Sequence, residues 1–137
     1  MILLDTDIVV AHFKGTPRVS ERILSNLAEI AMPAIVLAEL DFGAKASARS
    51  VENLERLYAF VRAVDVIPFE ANCAREYGSL KAGLRRIGRP TGSVDALIAA
   101  MALAHSAVLE LTTLPTTRAF QDSALKTGLR ESLRKNH

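Results

Sequence analysis

Short apolar runs alternate along the chain with longer segments in which apolar residues recur at helical spacing. Short runs bounded by polar residues, glycine or proline predict strands, and the longer segments predict helices. The predicted strands are residues 1–4, 28–32, 64–69 and 106–111, and the predicted helices are residues 17–27, 33–43, 44–62, 70–87 and 93–104. This alternation is typical of an α/β fold with a small, mostly parallel sheet covered on both faces.

Individual residues refine the predicted boundaries of two helices. Pro33 is expected to begin the second helix, in which Phe42 is one of the apolar residues, and Gly43 is expected to loosen or end it. Ser93 is expected to cap the last predicted helix, because a serine oxygen can accept a hydrogen bond from the first helical turn.

The composition predicts one domain over residues 1–137. Half of the residues are hydrophobic and 23% are charged, which is enough apolar material for a core and excludes a disordered chain. No window of about 20 residues lacks charge, so no membrane span is expected, and the cytoplasm is the predicted location. The single cysteine, Cys73, excludes an internal disulfide and is expected to be a buried small residue. The net charge of +2 permits a nucleic-acid partner without arguing for one.

Three acidic residues stand in apolar segments. Asp5 follows the first predicted strand, Glu39 lies within an apolar helix, and Asp95 is in the first turn of another. A carboxylate removed from water must be paired, protonated or bound to a metal, because burying an unpaired charge is costly. Since ligands gather at the carboxyl ends of parallel strands, we expect these acids to converge there. With no His or Cys nearby in the sequence, the set favours Mg²⁺ or Mn²⁺ over zinc.

Each acid also has a purely structural interpretation. Asp5 and Asp7 could end a strand and cap the next helix, and Glu39 could pair with an arginine such as Arg85. Asp95 could complement the dipole of its helix. A phosphatase-like hydrolase that uses Asp5 and Asp7 as nucleophile and acid is a remoter alternative, because the lysine and glycine-rich context of that chemistry is missing. Spacing along the chain does not by itself prove convergence.

The densest basic cluster of the chain consists of Lys81, Arg85, Arg86 and Arg89, just before the glycine-rich loop that leads to Asp95. Cations at the carboxyl end of a solvated helix are common, because they complement its dipole. The alternative is a rim of phosphate-contacting side chains, from Arg85, Arg86 and Arg89, beside the acidic pocket.

Three motifs together resemble a PIN-domain ribonuclease, and more narrowly the VapC toxins of bacterial type II toxin–antitoxin pairs. They are Leu3–Asp7, Val36–Leu40 followed by Phe42–Ala44, and Gly88–Ala100. They stand in the order and spacing of that family, and the resemblance covers residues 1–109.

The resemblance implies an α/β/α sandwich and a Mg²⁺- or Mn²⁺-dependent endoribonuclease that cuts structured RNA, often tRNA. It also implies a cognate antitoxin that blocks the active site, and assembly into homodimers or toxin–antitoxin heterooligomers. By position, Asp5, Glu39 and Asp95 match the first three members of the family's acidic quartet. Thr6 matches the hydroxyl residue that supports the metal. Asp7 adds a carboxylate where the family commonly has Asn or Ser.

The chain departs from the family at its fourth acidic position, which falls near Thr112 or Thr113. Threonine can bond to a metal-bound water but cannot supply the missing negative charge. One alternative is therefore a PIN-fold protein that binds its antitoxin or RNA and has weak or no nuclease activity. Residues 110–137 form a divergent tail, which either diverged plainly or results from a change of reading frame after about Leu109.

Overall fold

The computed structural model describes residues 1–89 and 92–110, which form six helices and four strands. In chain order the elements are β1 (Ile2–Leu4), α1 (Thr6–Phe13), α2 (Pro17–Ser25), β2 (Ile30–Pro33), α3 (Ala34–Ala46), α4 (Ser50–Val61), β3 (Asp65–Ile67), α5 (Ala71–Arg86), α6 (Ser93–Ala104) and β4 (Val108–Glu110). The predicted alternation of strands and helices is confirmed. The predictions on the tail after Glu110 lie outside the described residues.

The four strands form one parallel sheet in the order β3-β2-β1-β4. Ile2 of β1 pairs with Ile30 of β2 on one side and with Val108 of β4 on the other. The chain adds β2 and β3 on one side of β1 and then returns to add β4 on the opposite side. Parallel sheets bind ligands at such a reversal, outside the carboxyl ends of the strands. That position is where β1 ends and Asp5 begins.

Successive residues of a strand point to opposite sides of the sheet. Because the side chains on both sides are apolar, helices cover both faces. Leu4 packs into one apolar cluster with residues of α1, α3, α4 and α6. Leu3 packs into a second cluster that contains Cys73 and Met101. The predicted α/β class and the predicted burial of Cys73 are therefore confirmed.

Gly43 does not end the second predicted helix. α3 continues through it to Ala46, so residues 44–46 belong to α3, and α4 begins only at Ser50. A glycine inside a helix costs about 1 kcal/mol relative to alanine, and the packing of α3 against its neighbours outweighs so small a cost. Ser47 ends α3, and its hydroxyl donates a hydrogen bond to the carbonyl of Ala44 at 2.7 Å.

Ser93 does not cap α6, as the sequence had suggested. It is the first helical residue, Gly92 is the capping position, and the helix start has no side-chain cap. Asp95 nevertheless lies in the first turn of α6, as predicted. Among the described residues, no helix combines the length and the apolar character needed to cross a membrane.

Candidate active site

Asp5 stands where β1 passes into α1. It is the N-cap of α1, and its Oδ1 accepts a hydrogen bond from the backbone N–H of Thr6 at 2.7 Å. An aspartate is favoured there because it satisfies a helical N–H that would otherwise lack a partner. The short apolar strand followed by Asp-Thr-Asp thus fixes one carboxylate at the carboxyl edge of the sheet.

Glu39 is joined to the same place by a hydroxyl group. The Thr6 Oγ1 donates a hydrogen bond of 2.5 Å to Glu39 Oε1, which links α1 to α3. The Glu39 side chain is exposed, so the expectation that it stands in apolar surroundings is wrong. It faces outward because the buried side of α3 is formed by Val36 and Leu40. No ion pair connects it to Arg85 or Arg86 in the ranges that the structure describes.

Asp95 lies in the first turn of α6, the helix that precedes β4. Its first-turn position places it near the amino end of α6, where the partial positive charge of the helix favours a carboxylate. A Cβ atom added to Gly92 would lie 3.6 Å from Asp95 Oδ2, so the capping position approaches this carboxylate closely. The side chain of Asp95 is exposed, like that of Glu39.

The electrostatics of Asp5 show that the acids form one group. Burial is the main cause that raises the pKa of Asp5 from its ordinary 3.8 to about 6, and the hydrogen bond from Thr6 N–H partly opposes it. The negative charges of Asp7, Asp95 and Glu39 each raise this pKa further. The structure therefore places Asp7, Glu39 and Asp95 within electrostatic reach of Asp5. Strongly perturbed carboxyl groups at the edge of a sheet are typical of functional sites.

The sequence matches the family described as PIN domain over residues 2–113. The chain belongs to the PIN-domain family. It is 36% identical over 110 residues to "Ribonuclease VapC2" of Rickettsia felis, covering 78% of this chain and 82% of that protein. It is 33% identical over 108 residues to "tRNA(fMet)-specific endonuclease VapC" of Shigella flexneri, with the same two coverages.

A solved structure supports the same relationship. The crystal structure of VapBC2 from Rickettsia felis, bound to a DNA fragment from their promoter, contains a chain that superimposes with a TM-score of 0.80 at 31% identity. The match covers 86% of this PIN-domain chain and 92% of that chain. The predicted family, its α/β fold and the predicted function as an endoribonuclease of the VapC toxin class are therefore confirmed.

The acidic group of this PIN domain fits a hard divalent cation in the chemistry of its donors. Asp5, Glu39 and Asp95 offer carboxylate oxygens, the ligands that such cations prefer. PIN-domain ribonucleases depend on divalent metal ions. In residues 1–89 and 92–110, no three acidic, histidine or cysteine side chains stand in an arrangement that could hold one metal ion between them. An open arrangement still suits a cation of the Mg²⁺ type, which keeps several waters and takes only one or two carboxylates from the protein.

The basic cluster lies at the carboxyl end of α5. Gly88 adopts a positive φ of 66°, and the N–H groups of Gly88 and Arg89 bond back to the carbonyls of Arg85 and Leu84 at 3.2 and 3.0 Å. This is the usual glycine-based end of a helix, in which a left-handed residue returns two N–H groups to the last turn. The side chains of Arg85, Arg86 and Arg89 are exposed around this turn.

Packing between α5 and α6 places this arginine turn beside the acidic group. Leu80 and Leu84 of α5 form an apolar cluster with Ala96 of α6. Because Ala96 follows Asp95 directly and Leu84 precedes Arg85 directly, the end of α5 adjoins the first turn of α6. That these arginines form a phosphate-contacting rim stays a prediction.

The structure also reveals an exposed aromatic side chain that the sequence interpretation had treated as an ordinary apolar residue of its helix. Phe42 lies on the outside of α3, in the turn after Glu39. Val36, Leu40 and Ala44 form the buried stripe of α3, and position 42 falls on the opposite side of the helix.

Proposed function

We propose that this PIN-domain chain uses Asp5, Glu39 and Asp95 to bind Mg²⁺ or Mn²⁺ and to cleave RNA. The observation that carries the assignment is the raised pKa of Asp5, to which burial and three neighbouring carboxylates all contribute. Keeping this carboxylate charged in the folded chain costs stability, and a bound cation would compensate that cost. Bound there, the cation supplies positive charge that offsets the charge developing at the scissile phosphate.

The other residues of the site hold these carboxylates in place. The backbone N–H of Thr6 fixes one oxygen of Asp5, and the hydroxyl of Thr6 fixes one oxygen of Glu39. A single threonine therefore sets the relative position of two carboxylates on different helices. Asp7 adds negative charge beside Asp5 without facing the core, since its side chain is exposed.

The substrate and partners of the relatives extend the proposal. The Shigella flexneri relative is named for cleavage of tRNA(fMet), and we propose structured RNA such as tRNA as the substrate class of this chain. The solved relative from Rickettsia felis is a VapBC complex, and we propose a cognate antitoxin as the partner, within homodimers or toxin–antitoxin heterooligomers. The cytoplasm is the proposed location, where such substrates are found.

Cation dependence is the first test of this function. We expect the purified chain to cut tRNA when Mg²⁺ or Mn²⁺ is present and to stop cutting in EDTA, because the acidic group alone repels the phosphate backbone. Cleavage products resolved by gel electrophoresis are the measurement, and Asp95→Asn is the companion variant, expected to need more cation for the same rate. Undiminished cutting in EDTA would contradict the proposal.

The same experiment separates the enzyme from a PIN-fold binding protein. A binding protein would retain RNA in a filter assay and release no products with either cation. Thr112→Asp and Thr113→Asp then test whether the missing fourth acid is the cause, since a gain in cation affinity and cleavage would assign the weak activity to that position. These two threonines lie outside the described residues.

The arginine rim predicts a salt-dependent contribution to binding. We expect Arg85→Gln and Arg86→Gln each to reduce the slope of log affinity against log salt by roughly one phosphate contact, because each lost contact releases about one counterion fewer. The measurement is RNA affinity at several salt concentrations in EDTA. Arg75→Gln is the matched control, an exposed arginine near the other end of α5. Equal slopes for all three variants would remove Arg85 and Arg86 from the binding surface.

A further inference from the structure

The carboxyl end of α1 is held by side chains of two other helices. His12 Nδ1 lies 2.8 Å from the hydroxyl oxygen of Ser20 on α2, within hydrogen-bonding distance. The rings of His12 and Phe13 contact the Phe60 ring of α4, with centroid distances of 5.4 and 5.6 Å. Arg56 of α4 donates a hydrogen bond of 3.3 Å to the Phe13 carbonyl. These five residues join α1, α2 and α4 in one place, which we call the α1 corner.

The amino end of the same helix carries the acidic site. Asp5 is the N-cap of α1, and Thr6, its first helical residue, bonds to Glu39 of α3. α1 has only 8 residues, and an isolated helix of that length is marginal in water. Its position therefore depends on the contacts that other elements make with it. A displacement at the α1 corner would tilt the helix and move Asp5.

The α1 corner fixes the tilt of the helix more sharply than its apolar contacts do. Ile8 and Val9 are the buried residues of α1, and both lie in its first half. Apolar burial has no preferred direction, whereas hydrogen bonds and edge-to-face rings favour particular geometries. The second half of α1 is therefore positioned by the residues of the α1 corner.

We infer that His12 is a positioning residue for the cation site, because its imidazole joins α1 to α2 and α4 and so fixes where Asp5 and Thr6 stand. This inference rests on the proposed function, since it concerns the carboxylates that bind the cation. His12 itself is not a ligand of the site. It lies in the last turn of α1, whereas Asp5 caps the first turn.

The surroundings of His12 make the position of α1 sensitive to pH. Burial lowers the pKa of His12 from its ordinary value of 6.5. α2 presents the uncharged Ser20 hydroxyl to the imidazole, and α4 presents the Phe60 ring with the Arg56 guanidinium nearby on the Phe13 carbonyl. Since the unfolded chain binds this proton more readily, protonation favours arrangements in which the imidazole reaches water. As the pH falls, we expect the α1 corner to loosen and cation affinity to decrease.

A proton NMR titration of His12 tests the inference without measuring activity. If a proton on His12 weakens cation binding, the cation must weaken proton binding by the same factor, because coupling between two sites is reciprocal. We expect saturating Mg²⁺ to lower the pKa of His12, by an amount equivalent to about fivefold in proton affinity. His12→Asn identifies the ring signal among the 3 histidines of the chain. The same His12 titration with and without Mg²⁺ would overturn the inference.

Ser20→Ala separates positioning from direct repulsion between Mg²⁺ and the charged imidazole. The variant removes the hydrogen bond to His12 and leaves both charges in place, so a direct Coulombic effect of Mg²⁺ would persist in it. At physiological ionic strength, exposed charges more than about 8 Å apart are largely screened. We expect the effect of Mg²⁺ on the pKa of His12 to be smaller in Ser20→Ala than in wild type. Equal effects in the two proteins would mean direct repulsion and would overturn the positioning role.

Calorimetric titration with Mg²⁺ gives a second readout from variants at position 12. Asparagine keeps a hydrogen-bonding group near the place of Nδ1 and does not titrate, whereas alanine removes both the ring and the hydrogen bond. Near neutral pH we expect His12→Ala to bind Mg²⁺ about fivefold more weakly than wild type, and His12→Asn to recover most of that loss. In acid, wild type should lose more affinity than His12→Asn. The titration of Asp5 is common to both proteins and cancels from the comparison.

The outcomes keep this inference distinct from the proposed function. If wild-type protein neither binds Mg²⁺ in the calorimeter nor cuts RNA with Mg²⁺ or Mn²⁺, the proposed function fails. If wild type does both, and His12→Ala binds Mg²⁺ as wild type does, only the positioning role of His12 fails. The expected pattern is cation-dependent cutting by wild type, with weaker Mg²⁺ binding by His12→Ala and recovery in His12→Asn.

Discussion

Asp5→Asn is expected to lower RNA cleavage by about a hundredfold, because the variant weakens the binding of the cation that offsets the charge at the scissile phosphate. Asparagine keeps the shape of the side chain and remains a good N-cap for α1, so the fold is preserved. The variant loses the negative charge of Asp5, which burial and three neighbouring carboxylates make unfavourable. Initial rates of RNA cleavage at saturating Mg²⁺ are the measurement. Equal rates for wild type and variant would remove Asp5 from the active site.

The same variant is expected to stabilise the cation-free protein. A carboxyl group whose pKa rises from 3.8 to about 6 on folding destabilises the folded state at neutral pH. Because the group is partly exposed, solvent screening reduces the full value of the shift, and we expect a gain of about 1–2 kcal/mol in the free energy of unfolding. Urea denaturation in EDTA measures it. Asp65→Asn, at an exposed position in β3, is the control and should change stability little.

The pH dependence of folding stability tests independently whether the charge of Asp5 destabilises the folded state. Between about pH 4 and pH 6 the unfolded chain has lost the Asp5 proton while the folded chain retains it, so the folded state binds more protons. Stability contributed by this group therefore falls as pH rises through that window. In EDTA, wild type should lose stability relative to Asp5→Asn over this range, with the difference constant above it. A difference that grows as pH falls would contradict the assigned cause.

The sequence was sufficient to predict the elements that carry the acids. A short apolar strand followed by Asp5 and an apolar helix opened by Asp95 are local patterns, and local patterns decide where strands and helices begin. The convergence of the acids followed from a general property of parallel sheets, since their carboxyl ends share one edge. Neither step needed to know how the helices pack on one another.

What the sequence did not predict depends on packing between distant segments. The exposure of Glu39 and of Phe42 follows from which side of α3 meets the sheet and α4, and periodicity in an almost wholly apolar helix does not single out that side. The hydrogen bond between Thr6 and Glu39 joins residues 33 positions apart. Continuation of α3 through Gly43 likewise reflects tertiary contacts that outweigh a weak local preference.

Ile98→Ala is expected to cause the largest loss of stability among the variants considered, about 2–4 kcal/mol. Ile98 is 1% exposed and packs in the apolar cluster that contains Leu4 and Val36. Truncation removes apolar contacts and leaves a cavity between α6, β1 and α3 that these rigid elements cannot fill. A domain of this size is stable by only about 5–15 kcal/mol, so the loss is a large fraction of the total. Urea denaturation should show a lower midpoint with an unchanged slope.

Leu103→Ala on the same helix is the matched comparison, because its side chain is 42% exposed and both variants place an alanine in α6. We expect it to cost less than about 1 kcal/mol. The location of Ile98 also links stability to the site, since it lies one turn after Asp95 and packs with Leu4, the residue before Asp5. Loss of its side chain should therefore allow the distance between the Asp5 and Asp95 carboxylates to vary. We expect a higher cation concentration to be needed for cleavage. Equal unfolding midpoints for the two variants would show that α6 is not anchored through this cluster.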